Sequence, residues 1–137
     1  MEINIWSVVL ATIVQFIIGG AWYSVIFGKQ WGEIHGFNKL SKEKQKEMAA
    51  SMGPWYGAQL VVTIITAVVL AKLVAVLPEY SPFALAVMVW IGFVVPTQFS
   101  AVVFGGTESK WIMQKLTLMT LGSLACLLGG AAVFAAF

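Results

Sequence analysis

Four apolar stretches, each long enough to cross a bilayer as a helix, take up nearly the whole chain: residues 3–27, 52–77, 82–104 and 112–136. A helix rises 1.5 Å per residue, so about 20 apolar residues match the hydrocarbon thickness. With 60% apolar and only 10% charged residues, the chain lacks the polar surface that a water-soluble monomer needs. The pattern predicts an all-α fold, an integral membrane four-helix bundle formed by residues 1–137 as a single transmembrane domain. No length is left for a soluble catalytic domain. The first stretch would measure roughly 37 Å, more than the ~30 Å core, so tilt is expected. It does not read as a cleaved signal: no positive segment precedes it, and Gly19, Gly20 and Ala21 run straight into bulky Trp22 and Tyr23.

Proline and capping residues punctuate the spans. Residues 28–51 form the only long polar loop, and Ser41 followed by Glu43 predicts the N-terminus of a short solvated helix there. Pro54 lies where a missing amide costs least, and Pro78 with Pro82 brackets a tight connection between the second and third spans. Pro96 lies inside the third span, where it removes the donor for the Gly92 carbonyl and predicts a kink. Gly105 to Ser109 make the last turn.

Every positive residue is a lysine, and all but Lys72 lie in or beside the first and third loops. By the positive-inside bias these loops face the cytoplasm and both termini face outward, which fits the inner membrane of a bacterial cell. Lysines so placed serve orientation, and nucleic acid is not an expected partner. Lys72 lies inside the second span, where a central charge costs about 3 kcal/mol. Either its long stem snorkels toward Pro78 and Glu79, which is the expected outcome, or it faces a polar interior.

Catalytic chemistry finds little material. The chain has no Asp, and none of its Glu residues lies in a span, so proton-coupled export through a membrane carboxylate is disfavoured. His35 has no ligand set around it, so no metal and no cofactor are expected, and no hydroxyl is paired with a His and an acid. The expected catalytic set is empty and the protein is read as a non-enzyme. Lone Cys126 allows no intrachain disulfide.

What remains are intramembrane amides, hydroxyls and small residues. Ser7, Ala11, Gln15, Gly19 and Tyr23 recur every four residues on the first span; Gln59, Thr63 and Thr66 share a face of the second; Gly92, Pro96 and Ser100 share one of the third. One reading makes Gln15, Tyr23, Gln59, Lys72 and Gln98 the lining of a polar pathway or pocket. The plainer one, preferred because most helical bundles contain such residues, makes the amides interhelical glue worth about 0.6–2 kcal/mol each. Gly122, Cys126 and Gly130 make a small stripe on the fourth span, a helix-packing surface expected to meet its symmetry mate in a homodimer. Trp6, Trp22, Tyr23, Trp31, Trp55, Tyr56, Tyr80 and Trp111 fall near span ends as aromatic anchors.

The run Gly20, Trp22, Tyr23, Phe27, Gly28, Lys29, Trp31, followed by Trp90, Gly92, Phe93, Val94, Pro96, Thr97 and then Phe104, Gly106, Lys110, resembles the domain of unknown function 1761 family. The resemblance extends over most of the chain and implies a small bacterial four-helix membrane protein, with no activity or site residue attached. The chain departs from that pattern at Ser100 and Ala101, where asparagines are frequent, and at Met119, where a histidine can occur. Each departure removes a polar group from the membrane interior.

The expected function is that of an accessory or structural membrane component without catalysis, embedded in the lipid bilayer and joined to a larger membrane complex or to copies of itself. An oligomeric channel or transporter for a small solute or ion is the alternative, and a lipid-directed enzyme is the least supported. Lysine bias makes a direct prediction. A carboxyl-terminal alkaline phosphatase fusion is expected to be active and a fluorescent-protein fusion dark; cytoplasmic fluorescence would reverse the assigned orientation.

Overall fold

A computed structural model describes residues 3–137. The chain is 87% helical and, among the described residues, contains no strand. Among the described residues, four helical segments are long and apolar enough to cross a membrane: Ile5–Ile26, Gly53–Val76, Pro82–Phe104 and Ser109–Ala136. The protein is a multi-pass membrane protein whose span limits lie within a few residues of those read from hydropathy. In chain order the helices are α1 (Ile5–Ala21), α2 (Gly28–Ile34), α3 (Lys42–Ser51), α4 (Gly53–Val76), α5 (Pro82–Val89), α6 (Val95–Phe104) and α7 (Ile112–Ala136).

Local chemistry accounts for the helix ends. The Asn4 side chain accepts from the Trp6 amide to start α1, Ser41 caps α3 by accepting from the Lys44 amide, and Ser81 caps α5 ahead of Pro82. Gly36 (φ 72°) and Gly106 (φ 80°) turn the chain after α2 and α6 in the left-handed region, which a residue with a Cβ adopts only at a cost.

The last span is the spine, and α1 runs antiparallel along it. Gly130 lies against the Gln15 side chain, the Cys126 sulfur is 3.6 Å from where a Cβ on Gly19 would stand, and Gly122 lies under the Trp22 indole. Gly129 receives Ile18 and Val14. The two small-residue stripes therefore face each other within one chain. Gly122, Cys126 and Gly130, the stripe expected to meet a symmetry mate, lie against α1 of the same chain, with the two backbones in close approach. Alanines let the other elements come equally close. Ala11, Ala67 and Val133 join α1, α4 and α7, while Ala86, Leu127 and Ala131 join α5 to α7.

Two spans contain a π-turn. The first span, expected as one helix over 3–27, changes register at Trp22–Ile26, where the Phe27 amide reaches back to the Trp22 carbonyl at 3.0 Å. The chain then forms α2, so the polar loop holds two helices where one was expected. In the third span the disturbance expected at Pro96 appears just upstream, as a π-turn over Trp90–Val94 between α5 and α6. The Val95 amide donates to the Trp90 carbonyl. The Ile91 carbonyl thereby loses its α-helical donor, and its π-helical donor would be Pro96, which has no N–H.

Burial separates the spans. In the most apolar window of the third only 6% of residues are buried, against 39% for the last. Gly122 and Gly92 should therefore respond in opposite ways. A Cβ on Gly122 would stand 2.8 Å from the Trp22 ring, whereas one on Gly92 meets nothing within 4 Å. Gly122→Leu is expected to destabilise the monomer in detergent by at least ~1–3 kcal/mol, and Gly92→Leu to leave its thermal midpoint unchanged. Equal losses would contradict this packing.

Candidate functional site

The intramembrane polar residues are the only candidates that the spans supply, so the question is what each one touches. Most hydroxyls turn back on their own helices: Ser7 donates to the Asn4 carbonyl, Thr12 to Val8, Thr63 to Gln59, Thr97 to Phe93 and Thr120 to Leu116. Such bonds satisfy the hydroxyl without a second helix. They leave it little to offer a ligand.

Three longer side chains tie spans together. The Trp22 indole N–H donates to the Leu118 carbonyl at 2.9 Å, and that of Trp90 donates to the Thr120 carbonyl at 2.7 Å. Gly122, one turn beyond Leu118, makes the first bond accessible, because a side chain there would cover the carbonyl. Gln98 donates through Nε2 to the Ser123 hydroxyl at 2.6 Å, which in turn donates to the Met119 carbonyl at 2.8 Å. Trp22 thus works as a bond between spans, beyond the anchor role read from its position. Trp6, Trp55, Tyr56 and Tyr80 are exposed near span ends, as anchors should be.

The five residues considered for a polar pathway do not converge. Gln15 is buried on the α1 face toward α7, with 3% of its surface exposed. Gln98 meets α7 at Ser123, seven positions before the Gly130 that Gln15 touches, a separation of about 10 Å along the axis. Gln59 is exposed on α4 and donates only to Thr63 of the same helix, at 3.3 Å. Lys72 is exposed on α4 and makes no ion pair among the described residues. Its side chain lies on the exposed face of α4 and is not turned into the bundle. Tyr23 is half-buried in the first π-turn, its ring 4.6 Å from that of Trp31.

Polar atoms left without partners are the exception to this economy. Both terminal atoms of the Gln15 amide, and the Gln98 carbonyl oxygen, are buried without a hydrogen bond. Gln15 lies close to the midpoint of its span, where an unpaired amide has least to gain. Its Nε2 is packed against the Gly130 backbone.

Between the second and third spans a crevice of about 260 Å³ is lined by Ile65, Thr66, Val69, Leu70, Val94 and Leu127, among others. Its wall is apolar apart from Thr66, so it suits an acyl chain better than an ion. Among the described residues no three His, Cys, Asp or Glu side chains gather as a metal site would require. Sequence reasoning expected a freed carbonyl near Gly92 but missed the π-turn, which takes the α-helical donor from the Ile91 carbonyl as well. Gly92 with Pro96 was its only signal, because the register shift shows only in the backbone.

A family model described as a protein of unknown function (DUF1761) matches residues 6–135, nearly the entire chain. The chain belongs to that family. Neither a curated protein nor a solved structure matches it.

The unpaired amide yields a prediction of unusual sign. Gln15→Leu keeps the side-chain volume and removes a buried group whose desolvation is uncompensated, a burden of about 1–3 kcal/mol. Its thermal midpoint in detergent is expected to rise. A clear fall would mean that the amide has a partner in the folded protein.

Proposed function

We propose that the protein is a non-catalytic accessory component of the membrane that docks through its third span onto a transmembrane helix of a larger complex. One observation carries the reading: the third span is the least covered, and its π-turn at mid-span puts a carbonyl without a helical donor in a stretch where Ile91, Gly92 and Phe93 are all exposed. Lipid tails donate no hydrogen bonds, and irregular backbone at that depth is tolerated only against protein or water. Gly92 also leaves open space for close approach, with Pro96 and Ser100 on the same face. The partner that suits this surface is a helix bearing a small residue to sit over Gly92 and a hydroxyl or amide to donate to the Ile91 carbonyl.

The setting proposed with it is a bacterial inner membrane, both termini outside and the lysine-rich loops in the cytoplasm, on the strength of lysine bias and the family resemblance. An oligomeric channel or transporter receives less support. Gln15 and Gln98 meet α7 about 10 Å apart, Gln59 bonds within α4 and Lys72 is exposed, so a conducting path would have to run through several unconnected surfaces.

Site-specific photocrosslinking in native membranes tests docking directly. A photoreactive side chain at Ser100 is expected to trap a heterologous membrane protein, the same group at exposed Ile13 of α1 is not, and Gly92→Leu should abolish the Ser100 adduct. An adduct of twice the monomer mass would favour the oligomeric reading. Adducts with lipid alone at both positions would remove the basis for docking.

A further inference from the structure

The polar loop builds a second crevice, at the lysine-rich end of the bundle, that the membrane-embedded residues do not touch. Its volume is about 290 Å³, and its lining is Gly32, Glu33, Gly36, Asn38, Lys39 and Trp111. The walls are made locally. Gly36, in the left-handed region, reverses the chain after α2, and a 3-10 turn over Phe37–Lys39 brings it back. Asn38 then folds over buried Gly32, where a Cβ would collide with its side-chain oxygen, and its Nδ2 donates to the Lys29 carbonyl at 3.0 Å. Trp111, at the head of the last span, closes the other side.

The charges on this crevice are the informative feature. It carries one carboxylate, Glu33, and one ammonium, Lys39, yet among the described residues the only ion pair is Lys110 with Glu108, at 3.6 Å. Two opposite charges thus line one cleft and form no ion pair with each other. A purely anionic ligand would be repelled by Glu33 and a purely cationic one by Lys39. A zwitterion carrying both charges a few atoms apart would satisfy both. The cleft opens beside Trp111, where the last span begins, which is the depth of lipid headgroups.

We propose that this crevice binds a phosphoethanolamine group, with the phosphate diester at Lys39 and the primary ammonium at the Glu33 carboxylate, Trp111 serving as an apolar wall because Lys110 already lies over its ring, 5.4 Å from the centroid. A primary ammonium donates N–H bonds to a carboxylate. A quaternary choline has no N–H to donate, and one aromatic side chain is too few to enclose it. The site is independent of the third-span docking surface, and its failure would leave that reading untouched.

The purified full-length protein, stripped of lipid in detergent, supplies the test. Native mass spectrometry and thermal melting are measured with added phosphatidylethanolamine, phosphatidylcholine or phosphatidylglycerol, and with water-soluble glycerophosphoethanolamine. Retention and a raised midpoint are expected with phosphatidylethanolamine over the other two lipids. Protection by the soluble diester as well would support the same group taken from solution; protection by the lipid alone would assign the source to the bilayer. Glu33 and Lys39 are exposed, so Glu33→Gln and Lys39→Gln should fold normally, and each is expected to lower phosphatidylethanolamine retention roughly fivefold. Equal retention of the three lipids overturns the proposal. So does a preference for phosphatidylglycerol that Glu33→Gln strengthens, since the crevice would then be one more part of a basic rim.

Discussion

Close approach of α1 to α7 is the constraint on which the rest of the bundle depends. Inside a bilayer there is no hydrophobic gain from bringing two apolar helices together, so association rests on dispersion and on polar contacts made at short range. Both need backbones without bulk between them. Gly122, Cys126, Gly129 and Gly130 on one side, with Ala11 and Gly19 on the other, remove that bulk along much of the span, and Gly130 makes room for the Gln15 side chain. With α1 seated, Trp22 can reach the Leu118 carbonyl, and the aromatic cluster of Trp22 with Phe27 and Tyr23 with Trp31 can form at the span's end. Lys115 of α7 then comes to 5.8 Å from the Trp31 ring, linking the polar loop to the spine.

The same physics explains why the π-turns occur where they do. A π-turn inserts a residue into a helix and rotates everything after it relative to everything before. In the first span the shift comes after the small stripe has been used, and it precedes the separate helix α2, which returns toward Trp111. In the third span the shift separates Ala86 and Trp90, which face α7, from Gln98, which also faces α7 through Ser123. Contact with the spine is preserved on both sides of Pro96, while on the outward face the turn leaves the Ile91 carbonyl without a helical donor.

Much of the fold was legible because its signals are coarse. Span number, approximate limits, the cap at Ser41 and the disturbance near Pro96 follow from hydropathy, capping chemistry and a missing amide, and each requires only a few residues. Which stripe faces which was not legible. Gly122, Cys126 and Gly130 announce a close contact, but a period of four carries no information about the identity of the partner helix, and the matching stripe on α1 lay in plain view. Trp22 and Trp90 were equally opaque, since an indole near a span end can float at the interface or donate to a neighbour. Gln15, Tyr23, Gln59, Lys72 and Gln98 lie apart for a related reason: periodicity reports a residue's face, but the assignment of faces to neighbours is a property of the whole bundle.

Uneven burial is better understood as a division of labour than as loose packing. The first and last spans hold the fold, and their polar atoms are mostly consumed in holding it. Gln15 is the exception: both its amide atoms are buried without a hydrogen bond to a described residue. The third span gives up part of its own backbone satisfaction on an exposed face. A monomer optimised only for life in lipid would lose nothing by filling that position with an uninterrupted helix of bulky apolar residues. This chain instead places Gly92 and Pro96 there, beside a carbonyl whose helical donor the π-turn has removed, so the open face of the span is also its least regular stretch of backbone.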